Sequence, residues 1–342
     1  MNIFKFSGRV VWRVMQIMWR RKVEAARGER LLSELEEQYG GLLPSSVRRK
    51  VIVSYSIYQP MIIDTFCALN DRLCSEDEKQ RILYYFICSS TFDDFIDHAE
   101  LTLEELQTIS FKSPDFHPRN IQEQLFLHCH LELLDLVNDR VAYDEASKKL
   151  YKVQVESLAQ FESEPLSGET LLRITLEKGG YAVLLCCYYL QQKACDAERE
   201  CWYLLGGIIQ LTNDLFDTWK DLQAGQQTLP NRATNAYEIK NLLSEKVAAL
   251  QAAIASLDVP ASRKDAFLLN MMAICSFSDM AIQQLCDIQG EQGALPDLNS
   301  LARKELIVDM EKPRNIWHCL VFTWRQCHIG RQAYKLKSVL PD

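Results

Sequence analysis

Two short acidic segments carry the side chains of this chain that are best suited to bind a metal ion. The first, residues 93–97, ends an apolar stretch of helical periodicity over residues 79–97. Asp93 and Asp97 are four residues apart and project from one helix face, whereas Asp94 points about 100° away. Stacked carboxylates at a helix C-terminus repel each other and the helix dipole. No lysine or arginine lies within one turn, so the spacing predicts a divalent cation with oxygen ligands.

The second acidic segment, residues 213–221, has three oxygen-bearing side chains at helical spacing. Asn213, Asp217 and Asp221 stand at i, i+4 and i+8 and share one helix face over two turns. One amide oxygen and two carboxylates can hold an octahedral Mg²⁺, with water and phosphate oxygens in the remaining positions. Lys220 flanks the stripe and would either hold a phosphate or pair with a neighbouring acid.

Each acidic segment also has a plain interpretation as a solvated polar helix face. The functional prediction therefore depends on the two segments together, since each follows an apolar helix. If the two helices face each other, five oxygen ligands meet in one pocket.

The elements that carry these segments are predicted to be helices throughout. The chain has only 13 glycines and 10 prolines, which favours long helices over a turn-rich β architecture. Apolar residues recur at helical spacing, and strand-like alternation is nowhere sustained. The pattern is interrupted at residues 40–46, 110–119, 164–168, 224–235 and 290–296. We expect an all-α fold of roughly ten or more helices in a single domain over residues 1–342.

Composition narrows the function classes. The formal net charge of −8 disfavours nucleic acid as a partner. The twelve cysteines are scattered, without a C-x-x-C pair or Cys/His ligand spacing, which indicates reduced thiols in a cytoplasmic protein.

The N-terminal residues 1–23 alternate apolar and basic side chains. This pattern is typical of a basic amphipathic helix that touches anionic lipid as a peripheral membrane contact. The alternative is a first helix that packs on the domain. The apolar runs are shorter than the roughly 20 residues that span a bilayer, and the segment lacks the features of a signal peptide.

The two acidic segments resemble the metal-binding motifs of the class I isoprenoid synthases, which include bacterial terpene cyclases, trans-prenyltransferases and squalene/phytoene synthases. Residues 93–97 match the first aspartate-rich motif of the family. Asn213, Asp217 and Asp221 match the ligand positions of the second motif, with the two aspartates found in squalene/phytoene synthases. The resemblance implies a class I terpenoid synthase fold around a central apolar cavity, with three Mg²⁺ per active site. It is specific only over about residues 80–100 and 170–232.

The resemblance also implies a set of diphosphate-binding residues. Arg173 and Lys178 would sense the diphosphate beside a helix break at Gly179-Gly180, where an apolar helix would begin. Arg325 and Tyr334 would match the C-terminal basic and aromatic pair that closes over diphosphate. The alternative for Arg173 and Lys178 is that they are surface cations, next to glycines that merely loosen a helix.

The implied activity is that of a class I terpene synthase, a carbon–oxygen lyase that ionises a linear prenyl diphosphate of C15–C20 or longer. It would release a cyclised or rearranged terpene plus diphosphate. Aromatic residues would line the cavity and stabilise carbocations through their π faces, although such residues are also ordinary core. The candidates are Phe92, Phe95, Tyr181, Phe216 and Trp317.

Two alternatives to a terpene cyclase stay open at the level of sequence. One is a head-to-head prenyltransferase of the squalene/phytoene-synthase type. The other is a non-catalytic helical binding protein whose acidic stripes are solvated surface. No Arg-Arg pair follows Asp97, as it does in chain-elongating enzymes, and no arginine precedes Asp93, as squalene/phytoene synthases tend to have. These two departures weaken the prediction of a chain-elongating enzyme most.

Overall fold

The structure, a computed structural model, describes residues 3–291 and 293–337, with the side chains of residues 3–5, 9 and 333–337 outside the description. All regular secondary structure in that part of the chain is helical, and no strand occurs in it. The predicted all-α fold class is therefore confirmed. The chain forms two compact units, each described separately below, and the predicted single domain stays a prediction.

The N-terminal unit comprises Gly8–Arg140 and Tyr188–Lys193. Its helices are α1 (Ile3–Tyr39, whose first turns belong to the other unit), α2 (Ser45–Tyr58), a π-helical turn (Gln59–Ile63), α3 (Asp64–Leu69), α4 (Glu76–Asp97), α5 (Leu103–Phe111), a 3₁₀ turn (Ser113–Asp115) and α6 (Ile121–Asp135).

Helix α4 carries the first acidic segment at its C-terminal end. It begins with a capping box, in which Glu78 N donates to Ser75 Oγ at 3.2 Å and Ser75 N donates to Glu78 Oε2 at 2.8 Å. Ile82 and Ile87 are fully buried, and α4 packs against both α2 and α6. This packing places the acidic end of α4 beside side chains of those two helices.

The C-terminal unit comprises Met1–Ser7, Val141–Cys187 and Ala194–Asp342. Its elements are α7 (Arg140–Glu156), a 3₁₀ turn (Ser157–Phe161), α8 (Gly168–Tyr188), α9 (Asp196–Phe216), α10 (Thr218–Ala224), α11 (Leu229–Arg232), α12 (Ala236–Ser256), α13 (Ala261–Gln289), a 3₁₀ turn (Leu298–Ser300), α14 (Arg303–Leu306) and α15 (Pro313–Lys337). Helices α9, α12, α13 and α15 form the centre of this unit. Their contact surfaces bury Leu205, Leu250 and Met271 completely.

Two helical stretches, Ser45–Leu69 and Ala261–Gln289, are long and apolar enough to cross a membrane by length and composition alone. In each, 61% of the most apolar window is buried inside the protein. A buried core helix meets the same criteria, and burial to this degree favours core helices for both stretches.

Candidate metal sites

The first acidic segment has a basic partner that the local sequence does not reveal. Lys50, on α2, places its Nζ 3.0 Å from Asp93 Oδ2. Burial alone would lower the pKa of Lys50, but the charge and hydrogen bond of Asp93, together with the charges of Asp97 and Asp94, raise it. The absence of a lysine or arginine within one turn therefore does not leave these acids uncompensated, because the compensating charge comes from another helix.

Asp93 and Asp94 point toward different neighbouring helices, as their spacing predicts. Asp93 faces α2, whereas Asp94 faces α6, where Gln122 Nε2 donates to its Oδ2 at 3.0 Å. His98 Nε2 also lies 3.5 Å from Asp94 Oδ1. Asp97 is the last residue of α4 and is exposed. Asp93 and Asp97 remain the pair on one helix face, and Asp94 is held by polar neighbours.

The second acidic segment is not one continuous helix. Helix α9 ends at Phe216, Asp217 has φ −90° and ψ 4°, and α10 begins at Thr218. The prediction of an unbroken face over two turns is therefore wrong. The hydrogen bonds on either side of the break persist, with Asp217 N to Asn213 O at 2.9 Å and Asp221 N to Asp217 O at 2.8 Å. The three candidate ligands thus keep their one-turn spacing across a bend.

Three aspartates, Asp214, Asp217 and Asp221, lie at the bend between α9 and α10 and act on one another electrostatically. Burial, and then the charges of Asp217 and Asp214, raise the pKa of Asp221 to about 7, and Lys220 offsets this only in part. Asp214 is buried, and its pKa is also raised by burial despite hydrogen bonds from Thr175 Oγ1 and Gln210 Nε2, both at 2.8 Å. Burial is the main cause for both carboxyl groups, and the charges of Lys220 and Lys178 offset it only in part. Oxygen ligands in that state fit a hard divalent cation such as Mg²⁺.

Helix α8 is held against α9 by paired glycines. A Cβ on Gly179 would overlap the carbonyl oxygen of Gly206, and a Cβ on Gly206 would overlap that of Gly179. Only glycine allows the two backbones to approach this closely. Helix α8 runs unbroken from Gly168 to Tyr188, so the helix break and helix start expected at Gly179-Gly180 are wrong. The glycines are helix contacts, and they bring Thr175 next to Asp214.

The predicted diphosphate-binding cations differ in how closely carboxylates of the protein already pair with them. Arg173 Nη1 lies 2.7 Å from Glu156 Oε2 and 3.4 Å from Glu177 Oε2, so two carboxylates already neutralise it. Lys178 is half-buried, and its charge acts on Asp214. Lys220 is largely exposed, with its Nζ 3.7 Å from Asp217 Oδ2. Lys178 and Lys220 are the two that are associated with the second acidic segment.

The two C-terminal candidates both belong to α15. Arg325 lies on α15 and is exposed, whereas the side chain of Tyr334 lies outside the described residues. A cation that the sequence did not suggest is Arg303 of α14, whose guanidinium sits over the Trp219 ring at 5.1 Å from its centroid. Trp219 belongs to α10, so Arg303 brings a positive charge to the helix that carries Asp221.

The aromatic candidates for a cavity wall fall into three environments. Phe95 is completely buried, with its ring centroid 5.9 Å from that of Phe126, as ordinary core would be. Trp317 is 52% exposed. The other three, Phe92, Tyr181 and Phe216, are half-buried. The cavity-lining role of all five stays a prediction.

Comparison with known proteins finds distant structural likenesses and no match in sequence. No protein-family model matches the chain, and no curated protein matches it. A solved structure described as a dehydrosqualene synthase in complex with ligand superposes on 86% of this chain and 98% of its own, with 14% identity and a TM-score of 0.40. A likeness at this level carries no argument about substrate or reaction.

Proposed function

We propose that this chain is a Mg²⁺-dependent enzyme of isoprenoid metabolism that ionises a linear prenyl diphosphate of C15–C20 or longer. The products would be a cyclised or rearranged terpene and diphosphate. The observation that supports it most is the α9–α10 bend, where backbone hydrogen bonds of 2.9 and 2.8 Å keep Asn213, Asp217 and Asp221 at one-turn spacing. Burial there raises the pKa of Asp221 to about 7. The charged form of a buried carboxylate is stabilised when a cation binds beside it.

Five side chains would hold the metal ions in this proposal. Asp93 and Asp97 would hold one or two, and Asn213, Asp217 and Asp221 would hold another. Bound Mg²⁺ would neutralise the diphosphate and polarise the leaving-group oxygen.

The protein's own cations would complete the binding of the diphosphate. Lys50 is ion-paired with Asp93. If Asp93 held a metal ion, the Lys50 ammonium would be free to donate to a phosphate oxygen. Lys178 and Lys220 would do the same from the second segment, because each already lies near its carboxylates. Arg173 would first have to exchange Glu156 and Glu177 for phosphate, which weakens its candidacy.

A head-to-head condensation of two prenyl diphosphates is the second candidate. It is favoured by the pair of aspartates at the last two ligand positions of the second segment, Asp217 and Asp221, as in squalene/phytoene synthases. The two reactions begin with the same ionisation and differ in their products.

The test is incubation of the purified chain with C10, C15, C20 and C25 prenyl diphosphates, with and without Mg²⁺. Pyrophosphate release and mass spectrometry of the organic phase are the readouts. A cyclised or rearranged product of unchanged carbon number supports the cyclase, and a product of doubled carbon number supports condensation. Asn213→Ala should abolish release, whereas Asp258→Ala, at an exposed site in the loop after α12, should not. Absence of turnover with every substrate would leave the non-catalytic binding protein as the better account.

A further inference from the structure

One face of α1 exposes an unusual concentration of large apolar side chains. Seven of them are about half exposed or more, within thirteen consecutive residues of the N-terminal unit. They are Val11 (50%), Trp12 (63%), Val14 (50%), Met15 (61%), Met18 (49%), Trp19 (67%) and Val23 (47%). We call this set the α1 apolar face. Single exposed apolar residues need no explanation, but a contiguous set marks an interaction surface.

Helical spacing makes these residues neighbours. Trp12 and Trp19 are seven residues apart, so they project on the same side of α1, about 10 Å from each other along the axis. Met15 lies between them, one turn from each. The two indole rings and the flexible thioether therefore form one patch.

The opposite side of α1 is the one that packs on the N-terminal unit. Glu24 Oε2 accepts a hydrogen bond from Tyr55 Oη at 2.7 Å. A Cβ on Gly28 would lie 3.0 Å from Ile52 Cδ1, so the backbone there approaches α2 closely. Arg20 Nη1 lies 3.0 Å from Asp64 Oδ2. The helix is thus held without using its apolar face. The interpretation of residues 1–23 as a first helix that packs on the domain fits the packed side, and contact with lipid stays a prediction for the apolar face.

The charge around this face is of one sign. Residues 1–23 contain six lysines and arginines and no acidic residue, although the whole chain has a net charge of −8. Arg21 and Lys22 lie within the span of the face, and no carboxylate pairs with either among the described residues. Such a surface complements a negatively charged partner.

We propose that the α1 apolar face, with Arg21 and Lys22, binds the surface of an anionic lipid bilayer. Tryptophan prefers the boundary between headgroups and acyl chains, and basic residues beside it meet the lipid phosphates. A second copy of this chain fits less well, because pairing two such faces brings like charges together with no acid in either segment to compensate them. The inference is independent of the reaction proposed above.

The test is flotation of the full chain with vesicles of phosphatidylcholine alone or mixed with phosphatidylserine. Trp12→Gln/Trp19→Gln should lower partitioning by at least about tenfold, since two interfacial anchors are lost. Arg21→Gln/Lys22→Gln should lower it by roughly 25-fold at low salt and much less at high salt. The matched control is Leu73→Gln/Val141→Gln, which removes apolar side chains that are 85% and 81% exposed elsewhere, and it should float as the wild type does. Circular dichroism confirms that each variant keeps its helix content.

Three results would overturn the proposal. The first is a wild type that does not float with phosphatidylserine vesicles, and the second is a tryptophan variant that floats as well as the wild type. The third is that no form floats and that light scattering finds an oligomer which Trp12→Gln/Trp19→Gln converts to a monomer; the face would then be a contact between copies of the chain. Point variants are preferable to deletion of residues 1–23, because Val10 is buried and Arg20 is ion-paired.

Discussion

The two acidic segments are alike in sequence but differ in how the protein compensates their charge. At the end of α4, Asp93 has an ammonium 3.0 Å away, supplied by Lys50. At the α9–α10 bend, burial and neighbouring carboxylates instead raise the pKa of Asp221 to about 7. The first segment therefore has a cation of the protein beside it, whereas burial at the second disfavours the charged form of Asp221, which a bound cation would stabilise. Similar aspartate motifs should respond differently to mutation, pH and Mg²⁺.

The largest expected effect concerns how the second segment is positioned. Gly179→Ala or Gly206→Ala should lower the free energy of unfolding by about 3 kcal/mol or more, because the new methyl group overlaps backbone of the facing helix. Gly168→Ala, where no atom lies within 4 Å of the added Cβ, should change stability by less than about 1 kcal/mol. Urea unfolding measures both, and equal effects of the three substitutions would contradict the α8–α9 glycine contact.

Neutralising one aspartate in each segment should shift stability in opposite directions. Asp221→Asn should raise the free energy of unfolding at pH 8 without Mg²⁺ by roughly 2 kcal/mol, because it removes a charge whose pKa is raised by burial. Asp93→Asn should lower it by about 1 kcal/mol, because Lys50 loses its partner. Thermal unfolding with Asp258→Asn as an exposed control checks the pair. A loss of stability in Asp221→Asn would contradict the electrostatic account.

The pH dependence of stability has a definite sign for Asp221. A folded-state pKa near 7, above the usual value of 3.8, means that the native state binds more protons than the unfolded state between those values. Stability from this group is full below pH about 4 and is lost as pH rises toward 7. In Asp221→Asn this loss should vanish. Unfolding midpoints of wild type and variant that run parallel from pH 5 to 8 would contradict the raised pKa.

Proton release on Mg²⁺ binding gives a smaller effect at the same site. Because the metal displaces the Asp221 proton, calorimetry in buffers of different ionisation enthalpy should find about 0.5 protons released at pH 7 and about 0.1 at pH 8. Asp93→Ala should leave this release unchanged, since the proton belongs to the second segment. Release that is the same at both pH values would place the titrating group elsewhere.

The smallest expected effect distinguishes the first segment. Lys50→Met removes the ammonium that competes for Asp93, so Mg²⁺ should bind there about fivefold more tightly at low salt. Lys220→Met should have a weaker effect, because its Nζ is 3.7 Å from Asp217 and largely exposed. Titration of Mg²⁺ by calorimetry compares them, and unchanged affinity in Lys50→Met would show that the ion pair does not compete with the metal.

Sequence periodicity was enough for the helices and for the end of α4, because the i, i+4 spacing of Asp93 and Asp97 is a local property. It did not reveal Lys50, which comes from a helix 43 residues earlier. Periodicity also missed the bend at Asp217, because the backbone hydrogen bonds on either side of the bend keep the residues at helical spacing. Long-range contacts and single-residue bends leave no periodic trace in a sequence.

Glycine at residues 179–180 was open to two interpretations, a helix break or a loosened helix, and the structure gives a third. A glycine that permits close helix contact is recognisable only with its partner, here Gly206, which lies on the next helix. The adjacent pair 206–207 in α9 was the available signal, because two Gly-Gly pairs in successive apolar helices are suited to a reciprocal crossing.

The most direct test of the central claim is a double-mutant cycle between the two acidic segments, read out as Mg²⁺-dependent pyrophosphate release from a prenyl diphosphate. If both segments serve one reaction, Asp93→Ala and Asp217→Ala should each reduce turnover by about 10³-fold or more, and the double variant should be little worse than either. Full turnover in a folded Asp93→Ala variant, or losses that simply multiply in the double variant, would contradict it.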